Sequence, residues 1–335
     1  MSEYRGVVGS GIQNIPGSTG TLKGQVWYDN APGADNFKLS TVTTTGTWAT
    51  GNNLNTARRS MFTGTIGTQT SGLAAGGYVG PTRSNATEEY DGTDWTSVNN
   101  VNVSYSSRGA AGTQTAGLLF GGNPTPATVT TTSEYDGTTW TTSPGSLNNA
   151  RGYGPICAGT QTAALAGGGY NPPVTFVTVV EYYDGSCWSA QPNANPQNYA
   201  GNSGGSQTAA WFVGAGGTTA TNNTEAYNWN GSTWTASGNY NDTTRVNFGG
   251  GGPQTLAFIA GGDQDPGFTA NCELYDGSSW TTTGDLNSAR SYGGSAGDSS
   301  SGLVFGGGNP PSSNLTATEE FTGPGAAEIR TLTTS

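Results

Sequence analysis

The chain has 335 residues, of which 56 are glycine and 10% are charged, with a net charge of −11 and no histidine. The scattered Lys and Arg argue against nucleic-acid binding, because neutralising phosphates requires clustered cations. The absence of histidine removes the commonest general base and transition-metal ligand, so we expect no cofactor, no required metal and no enzyme. Sparse charge without 3.6-residue apolar periodicity predicts an all-β fold of short strands and tight turns.

Residues 1–40 come first and stand outside the repeat that follows. The first twenty residues lack a basic n-region and an apolar h-region, so we do not expect a signal peptide. Residues 24–39 read GQVWYDNAPGADNFKL, an aromatic strand, an Asn/Pro/Gly turn and a second strand, which predicts a hairpin. We expect residues 1–40 to be an arm and hairpin that dock on a partner, and residues 41–335 to form the main domain.

Two markers recur along the rest of the chain at intervals of 45 to 49 residues. The first is a tryptophan, found at Trp48, Trp95, Trp140, Trp188, Trp234 and Trp280. The second is a glycine pair that begins at Gly76, Gly121, Gly167, Gly216, Gly261 and Gly306. Two series of six members in the same phase establish an internal repeat.

Each repeat contains the signals for four antiparallel strands. In residues 112–140, a GTQT turn leads into an apolar run that ends at the Gly pair, followed by a variable loop, a Thr-rich strand, the turn Asp136-Gly137 and a strand from Trp140. A further strand precedes each GTQT turn. Four-stranded units of this length are typical of propeller blades, whereas a solenoid, the alternative, uses fewer strands in shorter repeats. The sequence therefore predicts a six-bladed β-propeller.

The repeat resembles the kelch repeat over about residues 45–322. The resemblance depends on the apolar strand ending in Gly-Gly, the following Tyr and Trp, and an Arg some ten residues later. That Arg is matched by Arg58, Arg108, Arg151, Arg245 and Arg290. One unit departs from the pattern, with Asn198-Tyr199 in place of the Arg. The resemblance implies that the Gly pair permits a sharp turn and that Tyr and Trp pack between neighbouring blades.

The repeated Arg residues admit two interpretations. A structural one pairs them with carboxylates that precede the Tyr or Phe of each blade, namely Glu88, Glu134, Glu181, Glu273 and Glu319. The alternative is a sialidase-like arginine cluster. One Arg at an equivalent position in each blade favours the structural interpretation.

Two strands compete to complete the last blade. The sixth Gly pair is followed by Glu320-Phe321 but by no Trp, while Trp48 precedes any Gly pair. We expect the strand around Trp48 to close the ring as the fourth strand of blade 6. The alternative is closure by the C-terminal segment at residues 329–332.

One face of the predicted propeller carries short, uniform turns, and the opposite face carries loops that vary in length and content. Variable loops on a uniform scaffold are a usual place for recognition, although unconstrained loops also drift. The aromatic residues in these loops, which suit a glycan or a flat protein surface, are Tyr78, Tyr105, Tyr170, Phe176, Tyr199, Tyr240 and Phe268. These residues are the candidate binding set.

Three classes of function remain open. The GTQT…EYDG…W pattern and the hairpin of residues 24–39 resemble phage structural proteins, which implies a non-catalytic virion component such as a tail, fibre or decoration protein. It would contact other virion proteins through residues 1–40 and a propeller face, and host-surface glycan through its loops. A lectin-like or adhesive protein, extracellular or at the cell surface, is the alternative. An enzyme is disfavoured, and we expect no membrane insertion.

Overall fold

A computed structural model describes residues 13–14, 26–29, 36–42, 45–124, 127–171, 175–194, 201–215, 223–242, 245–264, 267–309, 313–325 and 327–332. The chain divides into two compact units. The first consists of Met1–Gly46 with Gly323–Ser335, and the second is Thr47–Thr322.

The first unit contains one four-stranded sheet. Its strands, in order across the sheet, are Gln13–Asn14, Val26–Asp29, Asn36–Val42 and Ala327–Leu332. The central pair is antiparallel and forms the hairpin predicted from residues 24–39. The C-terminal strand, which we had assigned to the main domain, pairs instead with Asn36–Val42.

The second unit is a six-bladed β-propeller whose blades are antiparallel four-stranded sheets, as the sequence predicted. A further short strand, Phe62–Gly64, pairs in parallel with Arg108–Thr113 of blade 2. We call the strands of each blade a to d, with strand a nearest the axis. They are, in order, Gly67–Thr68, Ser71–Ala75, Thr87–Tyr90 and Trp95–Val98 in blade 1; Arg108–Thr113, Ala116–Phe120, Thr132–Tyr135 and Trp140–Thr142 in blade 2; Gly152–Thr160, Ala163–Asn171, Val179–Tyr183 and Trp188–Ala194 in blade 3; Asn202–Ser206, Ala209–Ala215, Asn223–Trp229 and Trp234–Ser237 in blade 4; Gly249–Gly251, Ala257–Ala260, Cys272–Tyr275 and Trp280–Thr282 in blade 5; and Gly294–Gly297, Ser301–Phe305, Thr318–Thr322 and Thr47–Gly51 in blade 6.

The ring is closed by the strand around Trp48. Thr47–Gly51 pairs antiparallel with Thr318–Thr322, and Trp48 lies opposite Phe321 with their ring centroids 4.9 Å apart. The C-terminal alternative is wrong, because that strand belongs to the sheet of the first unit.

Tryptophan and tyrosine pack between neighbouring blades, which confirms the role inferred for them. The rings of Tyr135 and Trp140 stack at 4.9 Å in blade 2, and the Trp140 side chain is only 7% exposed. The Trp140 indole N–H donates to Thr87 Oγ1 of blade 1 at 3.1 Å. Trp95 and Trp188 make the same hydrogen bond to the blade before theirs.

The glutamine of each GTQT turn also joins two blades, a role that sequence inspection missed. Gln114 Nε2 donates to the carbonyl oxygens of Gly72 and Tyr90 in blade 1, at 3.0 and 2.7 Å. The same paired contact to the preceding blade is made by Gln69, Gln161, Gln207 and Gln254. These five side chains satisfy strand carbonyls that would otherwise lose their hydrogen bonds between the sheets.

The glycine pair lies where strand b meets the next blade. Gly121 has φ of +63°, and a Cβ on it would lie 2.4 Å from the Arg151 carbonyl oxygen of blade 3. The N–H of Gly122 donates to that same oxygen at 2.8 Å. Any larger residue would therefore break both the turn and an inter-blade bond.

The positions of two of the six glycine markers need correction. In blade 3 the residues with positive φ are Gly168 and Gly169, and Gly167 lies within strand b. In blade 4, Gly214 has φ of +67° and follows strand residues that match those before Gly121. Gly216 lies outside the described residues. Runs of glycine in these two repeats misled the assignment.

Replacing Trp140 with alanine is expected to cost about 3–5 kcal/mol in the free energy of unfolding, because it removes a buried indole between two blades. Thr141→Ala, at the exposed next residue of the same strand, is the matched control and should change stability by less than about 0.5 kcal/mol. Urea unfolding followed by tryptophan fluorescence measures both. Equal costs for the two variants would contradict the packing described.

Tyrosine hydroxyls add a second inter-blade contact in the first three blades. The Tyr135 hydroxyl donates to Glu89 at 2.7 Å, and the hydroxyls of Tyr90 and Tyr183 donate to Glu320 and Glu134 of the preceding blade. Burial, together with the hydrogen bond to the carboxylate, raises the pKa of Tyr183 to about 12. The neutral phenol is therefore the form that the folded state prefers.

This preference predicts alkaline destabilisation. A tyrosine whose folded pKa exceeds its unfolded value of about 10 contributes stability that is complete below pH 10 and is lost as the pH rises toward about 12. Free energies of unfolding measured between about pH 9 and pH 12 should fall more steeply for the natural chain than for Tyr183→Phe. Identical slopes would show that the Tyr183–Glu134 contact does not couple to folding.

Candidate functional site

The two faces of the propeller differ as the strand order requires. The a–b and c–d connections are short turns, which lie together on what we call the uniform face. In the c–d turns, the side chain of Asp91 accepts hydrogen bonds from the backbone N–H groups of Thr93 and Asp94, both at 2.8 Å, and Asp136, Asp184 and Asp276 do the same in their blades. These bonds lower the pKa of the four carboxyl groups.

The variable face carries the b–c and d–a connections, several of which form extra hairpins that the sequence did not predict. One hairpin joins Tyr78–Val79 to Thr82–Arg83, and another joins Asp263–Gln264 to Gly267–Phe268. In blade 3, Thr175–Phe176 pairs with the end of strand b. These hairpins hold part of the predicted binding set in defined positions.

Five members of the predicted binding set lie half-buried on this face. Arg83 lies over the Tyr78 ring, 5.1 Å from its centroid, and Arg108 lies 5.6 Å from that of Tyr105. Tyr170 contacts Phe176, with 5.4 Å between ring centroids. Phe268 lies in the hairpin of blade 5.

Of the two other members of the set, one is buried and one lies outside the described residues. Tyr240 is a core residue, 3% exposed, packed against Phe248 with its hydroxyl bonded to the backbone of Arg245. Its place in a loop-like sequence, SGNYNDTT, suggested exposure, but the loop folds inward. Tyr199 lies outside the described residues.

Sequence reasoning missed a ring of equivalent residues around the propeller axis. Five blades each have one residue with a left-handed backbone near the start of their innermost strand, with φ between 52° and 59°: Ser60, Ser107, Tyr153, Asn247 and Tyr292. The N–H of Ser60 donates to the Tyr292 carbonyl oxygen, and that of Ser107 donates to Ser60, at 2.9 and 2.8 Å. The Tyr292 N–H donates to Asn247 in the same way, at 2.7 Å. The unusual conformation thus links neighbouring blades.

The five residues line a depression of about 180 Å³ at the axis. Phe62 and Phe248, which are 5% and 3% exposed, also line it. Tyr153 and Tyr292 are 38% and 36% exposed and are, with Leu256, the exposed large apolar side chains among the described residues of the propeller unit. We call this depression the axial mouth.

An aromatic track leads outward from the axial mouth along blade 3. The ring centroids of Tyr153 and Tyr170 lie 6.0 Å apart, and Phe176 continues the series. The side-chain amide of Asn123 in blade 2 donates to the Tyr153 hydroxyl and fixes the orientation of that ring. The mouth and the track form one continuous surface on the variable face.

The repeated Arg residues are structural in the blades where a carboxylate faces them. Arg58, Arg151 and Arg290 pair with Glu88, Glu181 and Glu319 at distances of 2.7, 2.5 and 2.5 Å. All six side chains are at most 2% exposed. A sialidase-like cluster on the surface is therefore wrong for these arginines.

Blade 2 departs from this pattern in a way that the sequence concealed. Ser133 stands where blades 1, 3, 5 and 6 have a Glu, and Glu134 contacts Tyr183 instead. Tyr105 occupies the backbone position of the other arginines, and Arg108 reaches the same pocket from strand a, donating to Leu119 and Ser133. Burial without a facing carboxylate lowers the pKa of Arg108 to about 9.

The described residues also contain three free cysteines and several loop carboxylates. No group of three His, Cys, Asp or Glu residues there is placed to hold a metal ion. Burial raises the pKa of Cys157 and Cys272 to about 12, and Cys187 is an exposed free thiol. Asp242 lies 2.5 Å from the Asn271 amide and 3.7 Å from Arg245. None of the described segments contains a helix long and apolar enough to cross a membrane.

Comparison with known proteins supports the fold of this chain and does not bear on its function. No protein-family model and no curated protein matches this sequence. The solved structure of YjhT, a propeller, is similar with a TM-score of 0.68 at 13% identity, over 84% of this chain and 99% of YjhT. The chain is therefore defined as a six-bladed β-propeller.

Proposed function

We propose that this chain is a non-catalytic recognition protein that presents the variable face of its propeller to a partner. The observation that carries the proposal is the contrast between the two faces. The uniform face repeats the same turns, whereas the variable face concentrates the extra hairpins, the aromatic track and the exposed Tyr153 and Tyr292. Exposed aromatic rings with polar tips are a common basis for binding.

We further propose that the protein is a component of a virus particle, such as a phage tail, fibre or decoration protein. The support is the kelch-like GTQT…EYDG…W repeat, which resembles repeats in phage structural proteins, and the sheet formed by the N-terminal and C-terminal segments as a docking unit. Five glutamines and three tyrosine–glutamate pairs between blades suit a shell that must endure outside a cell.

The absence of catalysis is part of the same proposal. Carboxylate catalysis of glycoside cleavage needs two acids about 5–10 Å apart, one of them able to donate a proton. Asp242, an acid of the variable face, is occupied by the Asn271 amide and lies beside Arg245. Such contacts indicate a structural role.

Cryo-electron microscopy and quantitative mass spectrometry of purified particles test the proposal. We expect the chain in stoichiometric amounts in the particles and six-bladed density with the variable face directed outward. A chain that is abundant in the host cytosol and missing from purified particles would contradict the virion assignment.

A lectin-like or adhesive protein outside a virion is the second candidate. The observation that favours it is the continuous surface formed by Tyr153, Tyr170 and Phe176, flanked by the amide of Asn123. This candidate shares the recognition face and differs in where the protein is found.

A further inference from the structure

We infer that the axial mouth is a binding site for one neutral pyranose ring, held between Tyr153 and Tyr292. The inference rests on the proposed recognition function of the variable face and names its ligand class. It also places the site at the axis, on residues outside the aromatic set that loop composition indicated.

The two tyrosines form opposite walls of the mouth. Tyr153 belongs to blade 3 and Tyr292 to blade 6, and in a ring of six blades these two positions face each other across the axis. Both side chains are exposed, at 38% and 36%. Both residues have a left-handed backbone, with φ of 55° and 59°. The Tyr292 N–H donates to the Asn247 carbonyl oxygen of blade 5, and the Tyr153 hydroxyl accepts from the Asn123 amide of blade 2. Ordered rings lose little entropy when a ligand binds.

Polar groups without protein partners lie between these walls. Ser60 and Ser107 occupy one arc of the mouth, in blades 1 and 2, and Asn247 occupies the other, in blade 5. Within the described part of the chain, the side chains of these three residues make no hydrogen bond, so two hydroxyls and an amide are available. The hydroxyl of Tyr292 is available as well.

This combination matches the chemistry of a sugar. A pyranose carries hydroxyls around its rim, which bond to amide and hydroxyl groups, and patches of C–H bonds on its faces, which pack on flat aromatic rings. The buried rings of Phe62 and Phe248 also line the mouth.

Size and charge narrow the ligand further. The volume of about 180 Å³ is below the range of about 300–1,000 Å³ typical of drug-sized ligands, which favours a single ring. The described residues that line the mouth include no Lys, Arg, Asp or Glu, which favours an uncharged ligand. A concave site this small is also unlike a protein interface, which buries about 800 Å² on each partner.

The uniform face provides a contrast within the same molecule. Its axial cavity, about 470 Å³, is lined by turn residues such as Thr68, Ser206, Pro253 and Asp298, with no aromatic side chain among its described lining residues. Volume alone does not make a sugar site: the smaller mouth has the aromatic rings that are missing from the described lining of the larger cavity.

Saturation-transfer NMR on the full chain tests the inference, with methyl glycosides of glucose, galactose, mannose and N-acetylglucosamine as probes. Hits are then titrated by calorimetry. The variants are Tyr153→Asn and Tyr292→Asn, because Asn247 shows that this position accepts asparagine with φ of 57°. The matched control is Leu256→Asn, which alters an apolar side chain that is 48% exposed on the uniform face.

We expect at least one probe to bind, each tyrosine variant to weaken it by about tenfold or more, and the double variant to abolish binding, while Leu256→Asn leaves it unchanged. Asn247→Tyr gives an independent check, since it should fill the mouth and block binding in a conformation that Tyr153 and Tyr292 already adopt.

Unchanged affinity in the double variant would overturn the assignment of the site. If no probe binds the natural chain, the assigned ligand class is wrong, and this holds even if the variable face is found to bind a protein partner. The proposed recognition function would still stand after that result. Conversely, if the protein binds a sugar but is missing from purified particles, the inference about the axial mouth holds and the virion assignment is wrong.

Discussion

The structure of the propeller depends on one strand pairing, that of Thr47–Gly51 with Thr318–Thr322. Each blade stacks its rings on one neighbour and donates hydrogen bonds to it, so a blade without that neighbour would expose indole, phenol and unpaired carbonyl groups. Closure from the opposite end of the chain gives every blade two neighbours. It also covers an edge that would invite aggregation.

Most of the repeated residues act between blades, which explains why the repeat was visible from sequence. A residue type that makes an equivalent contact in successive blades recurs at a fixed interval, as Trp140 and Gly121 show. The sequence does not show where a side chain points, so it did not reveal that Gln114 of the GTQT turn bonds to the preceding blade. In blade 4 both the Arg and the Glu are replaced, by Asn198-Tyr199 and Tyr227, whereas blade 2 keeps a buried Arg108 opposite Ser133.

The candidate site was less predictable, for a physical reason. The five residues around the axial mouth share a left-handed backbone conformation, but their side chains are Ser, Ser, Tyr, Asn and Tyr, so no repeated residue type marks them in the sequence. Loop composition did include Tyr170 and Phe176, which form the outer part of the aromatic track. Loop composition wrongly predicted that Tyr240 is exposed, because a polar loop sequence does not show that one of its side chains is buried in the core.

A cross-strand disulfide tests ring closure most directly. Thr47 and Thr322 are exposed register partners in blade 6, so Thr47→Cys with Thr322→Cys, in a Cys187→Ser background, should form a disulfide on oxidation and raise the free energy of unfolding by about 2–5 kcal/mol. Thr47→Cys with Thr142→Cys, an exposed position on blade 2, should not crosslink. A closed ring predicts both results; a first pair that stays reduced, or links without stabilising the protein, would contradict it.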